Sequence, residues 1–129
     1  MGRKSFLIII LLGIILSSST YRKEYMSIAE MKVGLAENPL GLDTSVPRFG
    51  WQLVSNPHER GIYQTAYQLE VKDEAGKVIW NSGKVTTDVS QHVTYQGEAL
   101  KPATRYTWKV KIWNNKGEIA EKDAWFETS

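Results

Sequence analysis

The stretch from Leu100 to Asn114, LKPATRYTWKVKIWN, decides the fold. Its second half alternates strictly. Tyr106, Trp108, Val110 and Ile112 fall on one side, and Thr107, Lys109 and Lys111 on the other. A period of two with apolar residues on a single side is the signature of a half-buried antiparallel strand. Its first half sets Leu100, Pro102, Thr104 and Tyr106 at every second position. A tyrosine that opens a long strand after a proline-bearing turn can fold its ring under the corner and bond its hydroxyl to upstream backbone. That device belongs to β-sandwiches.

The same period recurs outward from this strand. MKVGLAE places Met31, Val33 and Leu35 on one face, and RFGWQLV places Phe49, Trp51 and Leu53 opposite Arg48, Gly50 and Gln52. TAYQLEVKD sets Tyr67, Leu69 and Val71 against Gln68, Glu70 and Lys72. Shorter strands are expected at Val78–Ser82, Gln91–Tyr95 and Ala124–Thr128. Turn residues separate them: Asn56-Pro57 after the second strand, Asp73 to Lys77 with Gly76, and Asn114 to Gly117. About seven strands with no helix predict an all-β, antiparallel sandwich.

Ahead of this region, residues 1–19 read as a signal peptide. Arg3 and Lys4 precede the apolar run Phe6–Leu16 and the small residues of SSST. The run is shorter than the roughly 20 residues of a membrane span, although an uncleaved N-terminal anchor is the rival reading. With the signal removed no stable membrane anchor is expected. There is no cysteine to carry a lipid or a disulfide. Export to the periplasm or the extracellular space follows. Residues 20–30 read as a polar linker with at most a helical turn, and 31–129 as the domain. Removing residues 1–19 takes away two of 16 basic residues and none of the 14 acids, leaving 14 against 14. A balanced chain without a basic cluster has no electrostatic footprint for nucleic acid.

The motif Leu100, Pro102, Thr104, Tyr106, with Trp51 and Tyr67 on neighbouring strands, resembles fibronectin type III domains, of immunoglobulin-like fold. More specifically, ENPLGLDTSVPRFGWQL (Glu37–Leu53), QTAYQLEV, WNSGKV, LKPATRYTWKVKIW and AWFET, in this order, resemble the N-terminal fibronectin-like domain of bacterial α-L-rhamnosidases of glycoside hydrolase family 78. The resemblance implies an accessory domain that packs on or spaces a catalytic barrel located downstream. That barrel uses acidic residues and inversion to remove terminal α-L-rhamnose. No position here matches the barrel's motifs, so no catalytic residue is carried over, and no metal or cofactor is expected. The sequence stops at Ser129, where such a domain is expected to end, as a fragment or as a truncated product.

The entrance to the second strand has its own logic. Pro39 restricts Asn38 to extended geometry, and Gly41 allows a tight turn. Asp43 and Thr44 can bond local backbone. Pro47 prevents ladder pairing before the strand begins.

Candidate sites are few. A glycosidase needs two carboxyls about 5–9.5 Å apart across a pocket. The acids near one another in sequence, Asp73/Glu74 and Glu118/Glu121/Asp123, sit beside turns among lysines and read as solvated surface. His58 and His92 lack the partners of a zinc site. Trp51 and Trp108 share the inward parity of the core. Trp80, Trp113 and Trp125 read as exposed rings near strand ends or edges. They suit an interface with a neighbouring domain, or stacking on a glycan if the chain is a free-standing carbohydrate-binding or adhesion module.

Overall fold

A computed structural model describes residues 26–129. The expected signal peptide and the first part of the expected linker lie outside the described residues. Seven strands follow in chain order: β1 (Met26–Val33), β2 (Arg48–Ser55), β3 (Gln64–Lys72), β4 (Val78–Asn81), β5 (Val93–Thr94), β6 (Arg105–Asn114) and β7 (Ile119–Glu127). They form two antiparallel sheets, ordered β1-β2-β5 and β4-β3-β6-β7, packed as an immunoglobulin- or fibronectin-like sandwich.

The inward rows of both sheets meet in one core. Phe49 and Trp51 from β2 face Leu69 and Val71 from β3, Trp108, Val110 and Ile112 from β6, and Phe126 from β7. Phe49 is its aromatic hub, with ring centroids 4.8 Å from Trp108, 5.9 Å from Phe126 and 5.9 Å from Trp80. Aromatic pairs at such separations add to the burial of apolar area that drives folding.

The alternations read from β3 and β6 hold residue by residue. Elsewhere the boundaries move. β1 begins at Met26, so residues 26–30 are strand and not linker. The alternation hides this because a bulge between Ala29 and Lys32, with Glu30 at φ 47°, changes the phase. Met26 and Ile28 are buried before the bulge, and Met31 and Val33 after it. Leu35 does not share their face. The chain turns at Gly34 (φ 67°) and leaves Leu35 96% exposed. Leu53 is only half-buried, near the end of β2. β7 starts at Ile119, five residues before the expected Ala124. Its charged edge residues conceal the period.

Candidate functional site

The corner forms as its residue types suggest. The Lys101 backbone N–H donates to the Tyr106 hydroxyl at 2.8 Å. The Thr104 hydroxyl donates to the Pro102 carbonyl at 2.8 Å, and the Thr104 N–H reaches Thr128 Oγ1 at 3.0 Å. Leu100 packs at the margin of the core.

The loop between β1 and β2 does more than carry the chain across the end of the sandwich. Asn38, at φ 44°, accepts a bond from the Trp125 N–H at 3.0 Å through its side-chain oxygen. This positive φ departs from the extended geometry expected ahead of Pro39, and the bond to β7 helps to hold it. The Pro39 carbonyl accepts from Glu127 N–H (2.9 Å), and Leu42 exchanges bonds with Glu127 and Ser129 (2.8 and 3.0 Å). Gly41 turns the chain at φ 70°. The local turn is closed by Thr44, whose hydroxyl accepts from Val46 N–H at 3.2 Å, whereas among the described residues the Asp43 side chain makes no such bond. Pro47 is fully buried, and its carbonyl receives the Tyr95 N–H at 2.9 Å. The loop is thus bonded along the last residues of β7, a contact that no periodicity in the sequence announces. It presents Leu35, Leu40 (70% exposed) and Val46 (49%) to solvent.

The three tryptophans have different surroundings. Trp80 is not an isolated exposed ring. It packs against Phe49 and, edge-on, against Tyr95 at 5.3 Å, because its register partner Val71 points inward. Trp113 lies on the outer face of the four-stranded sheet with Lys84 Nζ 4.5 Å and Lys111 Nζ 5.0 Å from its ring centre. Trp125 lies on the same face beneath the Arg105 guanidinium, 4.0 Å from its centroid, and Arg105 also pairs with Glu127 at 3.0 Å. Cations over ring faces are held by the ring quadrupole. Trp125 stands opposite Thr107, six positions from Trp113, or about 20 Å along the strand. Charged pairs fill the space between, including Lys111–Glu121 at 3.9 Å.

The acids have structural duties. Asp73 Oδ1 accepts from the Ala75 and Lys77 N–H groups (3.0 and 2.9 Å), Glu74 from Arg105 N–H (3.2 Å), and Glu118 from the Asn114 amide (3.4 Å). Among the described residues no cluster of three His, Cys, Asp or Glu could hold a metal ion.

An open concavity among the described residues lies elsewhere, on the side of the sandwich where β4 and β5 are the edges. It is an open cleft of about 570 Å³ whose walls include Trp80, Asn81, His92, Thr94 and Gln96. Nothing in the sequence pattern marks it, because its residues come from three strands and two connecting segments.

Comparison with known proteins places this geometry. Residues 28–129 match the family described as "Rha78A-like, N-terminal immunoglobulin domain". An α-L-rhamnosidase from Streptomyces avermitilis is 38% identical over 109 residues, which is 80% of this chain and 10% of the enzyme. One from Formosa agariphila is 37% identical over 87 residues, 63% of this chain and 9% of the enzyme. The crystal structure of the Streptomyces avermitilis enzyme complexed with L-rhamnose superimposes on 81% of this chain and 10% of its own, with a TM-score of 0.73 and 35% identity. The α-L-rhamnosidase from Dictyoglumus thermophilum covers 83% of this chain and 13% of its own, with a TM-score of 0.72 and 30% identity. The chain spans about a tenth of the length of the curated relatives it matches. It belongs to the Rha78A-like N-terminal immunoglobulin domain family, as an accessory domain related to glycoside hydrolases and not a catalyst in itself.

Proposed function

We propose that this domain packs on and positions the catalytic part of an exported enzyme that removes terminal α-L-rhamnose from glycans. The observation that carries this reading is the match of residues 28–129 to a domain that makes up about a tenth of each α-L-rhamnosidase. The β1–β2 loop supports it. That loop holds three exposed apolar side chains on a backbone tied to residues 125–129. Covering such side chains is worth about 2 kcal/mol each. In the matched enzymes the domain is N-terminal, so the remainder follows it, and the loop lies beside the end from which that remainder would extend.

A chimera tests this. Residues 26–129 replace the corresponding domain of the Streptomyces avermitilis rhamnosidase, with and without Leu35→Ser, Leu40→Ser and Val46→Ser together. The proposal predicts that the triple variant lowers the unfolding temperature of the chimera's catalytic part and leaves that of the 129-residue chain unchanged. Equal unfolding temperatures for both chimeras would contradict docking through this loop.

A further inference from the structure

We propose that the cleft between β4 and β5 binds a neutral saccharide. Aromatic surface comes from Trp80 and Tyr67, and hydrogen-bonding groups come from Asn81, His92, Thr94 and Gln96. Among the described residues, no Asp, Glu, Lys or Arg contributes to its walls. Fourteen acids and fourteen bases are distributed over residues 20–129, so a concavity without carboxylates, lysines or arginines is a distinguishing feature of this surface. An amine would find no carboxylate there, and a phosphate or carboxylate no lysine or arginine. A sugar ring combines an apolar face with a rim of hydroxyls, and matches an aromatic wall flanked by amides, a hydroxyl and an imidazole. The volume of about 570 Å³ lies in the range of small-molecule sites.

The walls are fixed in advance of any ligand. Trp80 is held against Phe49 and Tyr95. The segment that crosses from β4 to β5 is tied down by Gln64, whose amide donates to the Thr87 and Val89 carbonyls (3.1 and 2.9 Å), and by mutual backbone bonds between Val85 and Tyr67. Asn81 Oδ1 is occupied by Gln68 and by Gly83 N–H, both at 2.9 Å, which orients its amide nitrogen as the remaining donor. Among the described residues the side chains of His92, Thr94 and Gln96 make no hydrogen bond, and their polar atoms remain for a ligand. His92 stands at φ 57°, a conformation that costs free energy in a non-glycine residue and is concentrated at functional sites. Fixed walls lower the entropic cost of binding.

This site differs from stacking on isolated surface tryptophans. Trp113 and Trp125 carry cations against their rings and sit on a charge-mixed sheet face, and neither lines the cleft. The choice of a saccharide over another neutral polyol rests on the reading of the chain as part of a rhamnose-releasing enzyme. The docking loop is not involved.

The test is a nitrogen–proton NMR titration of the 129-residue chain with L-rhamnose, methyl α-L-rhamnoside, D-galactose and D-glucuronate, each to tens of millimolar. The proposal predicts saturable shifts with at least one neutral sugar at the Trp80 indole and the amides of Asn81, His92, Thr94 and Gln96, with the Trp113 and Trp125 indoles unmoved. The substitutions Asn81→Ala and Gln96→Ala, both at exposed positions, should each weaken binding about tenfold while the rest of the spectrum stays folded. Absence of shifts with all the neutral sugars overturns the proposal. So does tighter binding of glucuronate than of any neutral sugar, or a response confined to Trp113 and Trp125. Such failure leaves the docking proposal intact, because that is read from the chimera's unfolding temperature.

Discussion

The two long sides of this sandwich are built differently. On one, β1 and β7, strands of eight and nine residues, come together, and the Lys122 ammonium reaches across to the Ile28 carbonyl at 3.2 Å. On the other, β4 has four residues and β5 two, and the cleft lies between them. The closed side is held by strand packing. The open side is held by individual groups: the Gln64 amide, the Gln91 amide on the Trp51 carbonyl (2.7 Å), and Glu98 N–H on the Ile79 carbonyl (3.1 Å). A side whose shape depends on a few directed bonds can keep a concavity that close-packed strands would fill.

Gly97 is where the open side is most easily broken. A Cβ there would stand 2.5 Å from the Trp80 Cβ and 2.6 Å from the Ile79 carbonyl oxygen. Gly97→Ala should cost about 3 kcal/mol in urea unfolding and displace Trp80.

The core tryptophans give a smaller contrast. Trp51 donates its indole N–H to Gln64 Oε1 at 2.9 Å, whereas the Trp108 indole N–H is buried without a partner among the described residues. Trp51→Phe leaves a buried amide oxygen unpaired; Trp108→Phe removes an unsatisfied donor. We expect Trp51→Phe to be the more destabilising, by about 1–2 kcal/mol, in equilibrium unfolding. The reverse order would mean that the Gln64 bonds do little to hold the open side.

Alkaline pH probes the same side more gently. Burial, with Tyr106 and Glu98 adding, pushes the Tyr95 phenol up to about 12. Its unfolded value is about 10. The neutral phenol therefore contributes stability that is fully present below pH ~10 and is lost as pH rises through about 12. Tyr95→Phe should flatten that decline in pH-dependent denaturation curves, leaving a weaker slope from Tyr67, also raised by burial.

How much of this was legible follows from the range of the signals. The stretch of β3 from Tyr67 to Lys72 and the whole of β6 are read correctly because the buried and less buried residues alternate there without a break, so the period of two survives. The corner is legible because Leu100, Pro102, Thr104 and Tyr106 act within seven residues. The start of β1 is not, since one bulged residue at Glu30 resets the phase. Trp113 could be placed on the outer face by parity, but the lysines beside it come partly from Lys84, far away in sequence. Trp80 looks exposed on a four-residue strand until its register with Val71 is known. The cleft assembles residues from Tyr67 to Gln96 around two sheet edges, and no local pattern encodes such an assembly.

Hydrogen exchange compared between the 129-residue chain and the chimeric rhamnosidase tests the assignment of the loop to docking and of the open side to ligand most directly. Slower exchange is expected at amides between Leu35 and Val46 in the chimera, with those of Ser82, Thr94 and Gln96 unchanged. Protection at the cleft with the loop unchanged would contradict the assignment, placing the catalytic part against the open side.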